Sequence, residues 1–446
     1  MTPPFGNDIR SWLFFARQRI RTTGAWKVYR ELDRTQRLPL PDILALNWQK
    51  RRDLLRYAAA RVPFYRKRFR AAGLAERHFD DASVWKDVPL LTRRDVVDHF
   101  AELRAEGWPD RDVQVAATGG TTGAPVKVLH DLSFPGAAIR WRLWRWWGLC
   151  PDSTQARVGR FTDEDLRSAG KLNKLNQVRM SASCMDDEAL DRFAAAWNRV
   201  RPELLGGYVG GIHQAALYCQ RKGIRMHRPV AIQTTTAPLT AGVRKQIEAV
   251  FGAPVYDQYG SCEIYWLAAE CRRQRGLHML SDVRHIEFTG SDGREQPPDE
   301  FGQVVVTDLT NRAFPLIRYV NGDGGRALSR PCDCGIHLPL MEAVKGRVTD
   351  DIRLADGTVI NGVYLSTIFD AWPDAVLGFQ VHQKRDYSID LKVIPNPHYA
   401  RAEDDIEAVR RALAGKVREQ VPVTVVRVET IPTVRGKTRY IVSDVA

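Results

Sequence analysis

The run Ala117-Thr118-Gly119-Gly120-Thr121-Thr122-Gly123-Ala124-Pro125 constrains this chain more than any other stretch. Gly119, Gly120 and Gly123 reach positive φ without a steric penalty, so the backbone can fold tightly around a guest. Thr118, Thr121 and Thr122 add hydroxyl donors where a longer side chain would block close approach. Inward-pointing N–H and O–H groups of this kind form a nest for an anion, and phosphate is its natural occupant. No Gly-Lys-Ser/Thr closes the run, so it is not a Walker loop. The same residues also suit a plain Gly/Thr turn between two strands.

The bulk properties narrow the classes. At 446 residues the chain exceeds one ordinary core, so two domains, one large and one small, are expected. With 44% apolar and 27% charged residues it has the composition of a globular protein rather than a disordered one. No apolar run approaches the roughly 20 residues of a membrane span. Trp12-Leu13-Phe14-Phe15 is followed at once by Arg17, Arg19 and Arg21, with no small-residue cleavage site, which argues against a signal peptide. Seven cysteines without a regular framework indicate a reducing, cytoplasmic setting. The net charge of +13 suits anionic small molecules. The arginines are scattered and no nucleic-acid module is visible, so nucleic acid is not expected as a partner.

Strand and helix patterns alternate. Ile43–Ala71 reads as helical up to a break at Val62-Pro63, and Val126–Leu129 leaves the glycine run as a strand. A tryptophan-rich helix holds Trp141, Trp144, Trp146 and Trp147. Val230–Ile232, a helix capped by Thr240, and a strand at Val255-Tyr256 give the strand–helix–strand rhythm of an α/β domain with mostly parallel sheet. Beyond Gly346 the texture changes to short strands at Val376–His382, Tyr387–Ile394 and Val423–Glu429 around a helix from Ala402 to Gln420. The expected organisation is a large α/β domain over 1–346 and a small α+β domain over 347–446.

Four further segments follow the glycine run in order: Tyr259-Gly260-Ser261-Cys262-Glu263, Pro315 to Asp323, Gly346-Arg347-Val348-Thr349-Asp350-Asp351, and Gly436-Lys437-Thr438-Arg439. Together the five resemble the adenylate-forming superfamily of acyl-CoA synthetases, adenylation domains and luciferases, and within it the phenylacetate–coenzyme A ligases and their capsule-gene relatives. The resemblance runs from about Leu54 to the C-terminus. It implies a large nucleotide- and acyl-binding domain, a mobile lid, and a two-step reaction. A carboxylate attacks the α-phosphate of ATP to give acyl-AMP, and a thiol, most naturally coenzyme A, then takes the acyl group.

Residue by residue, the resemblance places Thr118, Gly119, Gly120, Thr121, Thr122 and Gly123 on the ATP phosphates and Glu263 on Mg²⁺. The resemblance puts Tyr259 near the adenine and the acyl group, Gly260 among the ATP/AMP-binding residues, Asp323 on the ribose hydroxyls, and Arg347 on ribose and phosphates. Lys437 is the catalytic lysine of the lid, which swings on a hinge at Thr349 and Asp350. A carboxylate such as Asp323 accepts two hydroxyl donors, and oxygen ligation by one or two carboxylates suits Mg²⁺. The sequence departs from the family in places. Ala124 stands where a lysine is common, leaving the role of Lys127 open; Cys262 stands where threonine is common; and Thr349 stands where relatives have aspartate. Segments 206–211 and 234–238 are expected at the acyl and adenine sites, with Tyr208, Trp144, Tyr256 and Ala237 lining an acyl pocket that favours an aryl acid. Core packing is the other reading for Trp144.

Cys271, His278, Cys332 and Cys334 supply the four ligands that a closed tetrahedral zinc site needs, with His337 as a substitute for His278. Ordinary buried thiols are the alternative. For function, two rivals to a coenzyme A ligase remain open at this point. One is adenylation with transfer to a carrier protein or an amine; the other is a nucleotide-binding protein that has kept only the fold.

Overall fold

Proline fixes φ and lacks an N–H, so Pro63 cannot continue a helix but can open one. The helix Leu40–Arg61 ends at Val62 and a second, Pro63–Ala71, begins directly after it. The computed structural model describes residues 16, 24–117, 126–161, 166, 178–182, 184–290, 292–344, 352–360, 365, 368–369, 372, 374–431, 433–434, 437–438 and 440–445. By its contacts the chain falls into two units, Met1–Asp152 with Gln258–Ala343, and Ser153–Asp257 with Val344–Ala446.

In the first unit, Val113–Ala117 and Lys127–Asp131 form an antiparallel hairpin that pairs Ala117 with Lys127. The Gly/Thr run is therefore the connection between two paired strands. Arg284–Thr289, Gly302–Asp308 and Tyr319–Gly325 make an antiparallel sheet whose middle strand is almost fully buried. A second ladder joins Ala268–Glu270, Leu277–Met279 and Leu340–Met341, and Tyr259 pairs with Ala268 at its margin. Long-range buried ion pairs tie the unit together. Arg142 meets Asp282, which also accepts from Thr35 Oγ1 at 2.6 Å, and Arg318 meets Glu287 at 3.0 Å.

In the second unit, Val178–Ser181, Gln155–Gly159, Leu204–Tyr208, Ala231–Thr235 and the start of Val255–Tyr259 form a parallel sheet. Helices Asp187–Val200, Val209–Lys222 and Ala241–Phe251 supply its crossovers. Trp197, Ile212, Ile247 and Phe251 pack with Leu205, Ile232 and Val255 into its core. Thr240 caps the last helix by accepting from Val243 N, as its position predicts.

The C-terminal part of the same unit is α+β. Val376–Gln383 pairs antiparallel with Ile389–Pro395, which pairs in parallel with Val423–Arg427, while Ile441–Ser443 pairs in parallel with Val376–Gln383. The helix Ala402–Lys416 buries Ile406, Val409 and Leu413 in a core of its own, with Phe379, Leu391 and Val393. The expected architecture, an α/β body with parallel sheet plus a small α+β element, is the one found. Among the described residues no helix is long and apolar enough to cross a membrane.

Candidate functional site

The first candidate cluster lies in the first unit, at the irregular end of the strand Tyr319–Gly325. Val305 pairs with Val320 and Gln303 with Gly324, so Asn321, Gly322 and Asp323 together oppose Val304. Extra residues in one strand form a bulge that re-aims side chains. Gly322 sits at φ +81°, in the left-handed region, with open space where a Cβ would stand. Backbone conformation, not crowding, therefore selects glycine here.

The bulge delivers Asp323 to Tyr259. The Tyr259 hydroxyl donates to Asp323 Oδ2 at 2.9 Å, and Asn321 Nδ2 donates to the Tyr259 oxygen at 2.7 Å and to Asp323 Oδ2 at 2.8 Å. Burial, and then the Asp323 carboxylate, push the Tyr259 phenol well above its ordinary value, so it stays a donor. Asn321 Oδ1 is buried and has no hydrogen-bond partner among the described residues.

Glu263 ends a tight turn after the strand that carries Tyr259. Ser261 N donates to Ile264 O, Ile264 N donates to Ser261 Oγ, and Leu267 N donates to Tyr259 O. A Cβ on Gly260 would stand 3.1 Å from Trp266 N, so a side chain there would crowd the backbone of the turn. Glu263 is 2% exposed. Its Oε1 accepts from the Tyr319 hydroxyl at 3.2 Å, while Oε2 is buried without a partner among the described residues. A buried, unpaired carboxylate oxygen is costly unless a ligand completes it, and a hard divalent cation fits that need.

The same turn touches the foot of the Gly/Thr run. Cys262 Sγ donates to Ala117 O at 3.4 Å, and His130 Nε2 meets Cys262 O at 2.9 Å from the returning strand. The carbonyl can only accept, so that nitrogen carries the proton. His130 also stacks on Tyr265 with ring centroids 4.2 Å apart. Burial holds its imidazole below the ordinary value, hence neutral. The structure thus joins Tyr259 to Asp323 and sets Gly260 and Glu263 in the turn whose Cys262 touches Ala117. Thr118, Gly119, Gly120, Thr121, Thr122 and Gly123 lie outside the described residues, as do Arg347, Thr349 and Asp350. The backbone of Lys437 is described: it lies in a hairpin that pairs Lys437 with Val434.

The residues expected at the acyl pocket have individual placements. Tyr208, half-buried, ends the strand Leu204–Tyr208 and precedes the helix Val209–Lys222. Tyr256 is buried in the strand Val255–Tyr259, and Ala237 is half-buried just beyond Ala231–Thr235. Trp144 is buried in the first unit with the Arg140 guanidinium 5.1 Å from its ring.

The second cluster is the cysteine–histidine set. The ligand atoms of Cys271, His278, Cys332 and Cys334 all lie within 4.8 Å of one another. Cys271 Sγ is 3.7 Å from Cys332 Sγ, and Cys334 Sγ is 3.3 Å from His278 Nε2. His278 Nδ1 meets Leu338 O at 2.9 Å, which fixes the ring and leaves Nε2 for a ligand. Burial lowers His278 to about 4 and raises Cys271 to about 12. The imidazole is therefore neutral, while the thiol stays protonated unless a cation draws off its proton. His337, by contrast, is exposed and bonds to Leu38 O. Trp146 sets its ring edge-on to His278 at 5.6 Å, and Trp147 Nε1 donates to Glu270 O at 2.8 Å. The helix Ala137–Trp146 ends one residue short of the expected one, so Trp146, its last residue, and Trp147, just after it, support this cluster.

Sequence reasoning overlooked Tyr319, Asn321 and His130. Tyr319 and Asn321 lie inside the segment that contains Asp323, so the segment was a signal for them, but only the bulge shows which way they face.

The chain is similar to known proteins over most of its length. The phenylacetate–coenzyme A ligase of Thermus thermophilus is 25% identical over 427 residues, covering 87% of this chain and 92% of the relative. Over most of its length this chain is similar to the phenylacetate–coenzyme A ligases. The CapK protein of Staphylococcus aureus is 28% identical over 205 residues, 44% of this chain and 43% of the relative. Residues 352–444 match the family model of the CapK C-terminal domain. In fold, the chain resembles the crystal structure of 2-hydroxyisobutyryl-CoA ligase in its postadenylation state, bound to R3-HIB-AMP. The TM-score is 0.71 at 18% identity, over 92% of each chain.

Proposed function

We propose that this chain is an ATP-dependent acid–thiol ligase that converts a carboxylic acid first to its acyl adenylate and then to its coenzyme A thioester. The observation that carries this reading is the hydrogen-bonded set of Tyr259, Asn321 and Asp323, with Glu263 held by Tyr319 in the turn whose Cys262 touches the foot of the Gly/Thr run. In the first step a carboxylate oxygen attacks the α-phosphorus and pyrophosphate leaves. In the second, the thiol sulfur attacks the acyl carbonyl and AMP leaves.

Asp323, steadied by Tyr259 and Asn321, is preorganised to accept the ribose hydroxyls. Thr118 to Gly123 would receive the phosphates, with Arg347 reaching ribose and phosphates. Glu263 Oε2 would hold Mg²⁺, which supplies charge neutralisation for the departing pyrophosphate. Lys437 would meet the attacking carboxylate and the α-phosphate, and the small domain over 347–446 would carry it in and out on the Thr349–Asp350 hinge. Tyr208, Tyr256 and Ala237 are the proposed acyl contacts, and the two phenol rings favour an aryl acid. Cys271, His278, Cys332 and Cys334 would hold a structural Zn²⁺, which would cross-link the loops that bear them. A reducing, cytoplasmic setting suits the seven cysteines, none of which is in a disulfide.

Acid-dependent ATP–pyrophosphate exchange across a panel of aryl and aliphatic acids tests the reading, followed by coenzyme A with the active acid. Exchange and then acyl-CoA is the expected result. Exchange without acyl-CoA moves the acceptor to a carrier protein or an amine. No exchange with any acid leaves a nucleotide-binding protein.

A further inference from the structure

We infer that Tyr319 is the positioning residue for the metal-binding carboxylate. Its hydroxyl fixes Glu263 Oε1 so that Oε2 alone is presented to the nucleotide's magnesium ion. This rests on the nucleotide reading above and adds a residue to it.

Three observations carry it. Tyr319 OH donates to Glu263 Oε1 at 3.2 Å across a separation of 56 residues, with both side chains at most 2% exposed. Glu263 Oε2 is buried and unpartnered among the described residues, so the two carboxylate oxygens have unequal environments. Tyr319 is itself held from both sides. It pairs with Val306 in the sheet and bridges to Leu91, with Leu91 N donating to Arg318 O and Val320 N donating to Leu91 O. Arg318, immediately before it, is locked with its guanidinium on Glu287 and on Val88 O at 2.7 Å. A phenol anchored in this way is a rigid donor, and a rigid donor on one oxygen removes the freedom of the carboxylate to rotate or to chelate with both. The remaining oxygen is then a monodentate ligand of fixed direction, which suits the octahedral demand and short reach of Mg²⁺.

The test is calorimetric titration of ATP into the full chain, with Mg²⁺ and with chelator, in the absence of any acid so that nothing turns over. Wild type is expected to bind more tightly with Mg²⁺. Tyr319→Phe should lose about tenfold of that metal-dependent gain, the scale of one hydrogen bond to a charged group, while its affinity in chelator stays at the wild-type value. Glu263→Gln should lose the gain, and the double variant should be no weaker than Glu263→Gln, because the phenol acts through that carboxylate. The assignment falls if Tyr319→Phe keeps the full gain, if it weakens binding equally with and without metal, or if the two losses add. Should Tyr319→Phe not fold, Glu263→Asp withdraws the carboxylate from the phenol by one methylene. It should lose the gain in the same way, and full retention would overturn the assignment. A wild type that binds ATP with no help from Mg²⁺ sinks the nucleotide reading as well, and that result is in hand before any variant is made.

Discussion

The two clusters of the first unit are built on opposite principles. Around Asp323 and Glu263, buried polar groups are only partly satisfied: Glu263 Oε2 and Asn321 Oδ1 have no partner among the described residues. Around Cys271, the four ligand atoms face one another within 4.8 Å, and His278 is already oriented by a backbone carbonyl. An arrangement that leaves acceptors waiting is suited to a substrate that comes and goes, whereas one that closes on itself is suited to a resident ion. On the function proposed above, the difference separates a reaction centre from a clamp.

That contrast can be broken in four ways. Lys437→Ala should depress adenylate formation by at least about 10²- to 10³-fold, the effect of one preorganised charge, while sparing thioester formation from supplied acyl adenylate. Equal loss in both half-reactions would deny Lys437 its role in the first step alone. Elemental analysis is expected to find zinc in the wild type, and Cys332→Ser combined with Cys334→Ser should remove it and lower Tm by several degrees, roughly 4 °C or more. The adenylation rate of the protein still folded should hold. A rate loss as large as that of Lys437→Ala would make the clamp part of the reaction centre. Asp323→Asn should weaken ATP by about tenfold, since an amide offers one acceptor where the carboxylate offered two. Unchanged ATP affinity would take the ribose away from Asp323. Gly322→Ala should be the mildest, about 1 kcal/mol of stability from the positive φ with no steric clash behind it. A loss several times larger in a chemical-denaturation series would mean that the bulge tolerates no relaxation at all.

Much of this was legible in the sequence, for local reasons. Pro63 breaks its helix and Thr240 suits the cap of the next, because each depends only on neighbours in the chain; the Gly/Thr run suited a turn between strands as well as an anion nest, and it does join two paired strands. Cys271, His278, Cys332 and Cys334 could be paired by ligand chemistry alone, and they do converge. The Asn321–Asp323 bulge could not be read, because its existence depends on which residue of Gly302–Asp308 stands opposite. Nor could Tyr319 against Glu263, or Asp282 against both Thr35 and Arg142, since each joins distant points of the chain through the tertiary fold. The grouping of Ser153–Asp257 with Val344–Ala446 was equally hidden, for no composition change marks Asp152 or Gln258.

The α+β element near the C-terminus closes its own apolar interior, from Ile352 and Leu354 through Phe379 and Val409 to Ile441. Its attachments to the rest of its unit include a surface ion pair, Lys245 to Asp374, and a long hydrogen bond from Tyr440 to Pro238 O. Bonds of that kind are weak and easily remade. On the function proposed above, such an element could be replaced as one piece, changing the timing or the acceptor of the reaction while the residues around Asp323 and Glu263 stay as they are.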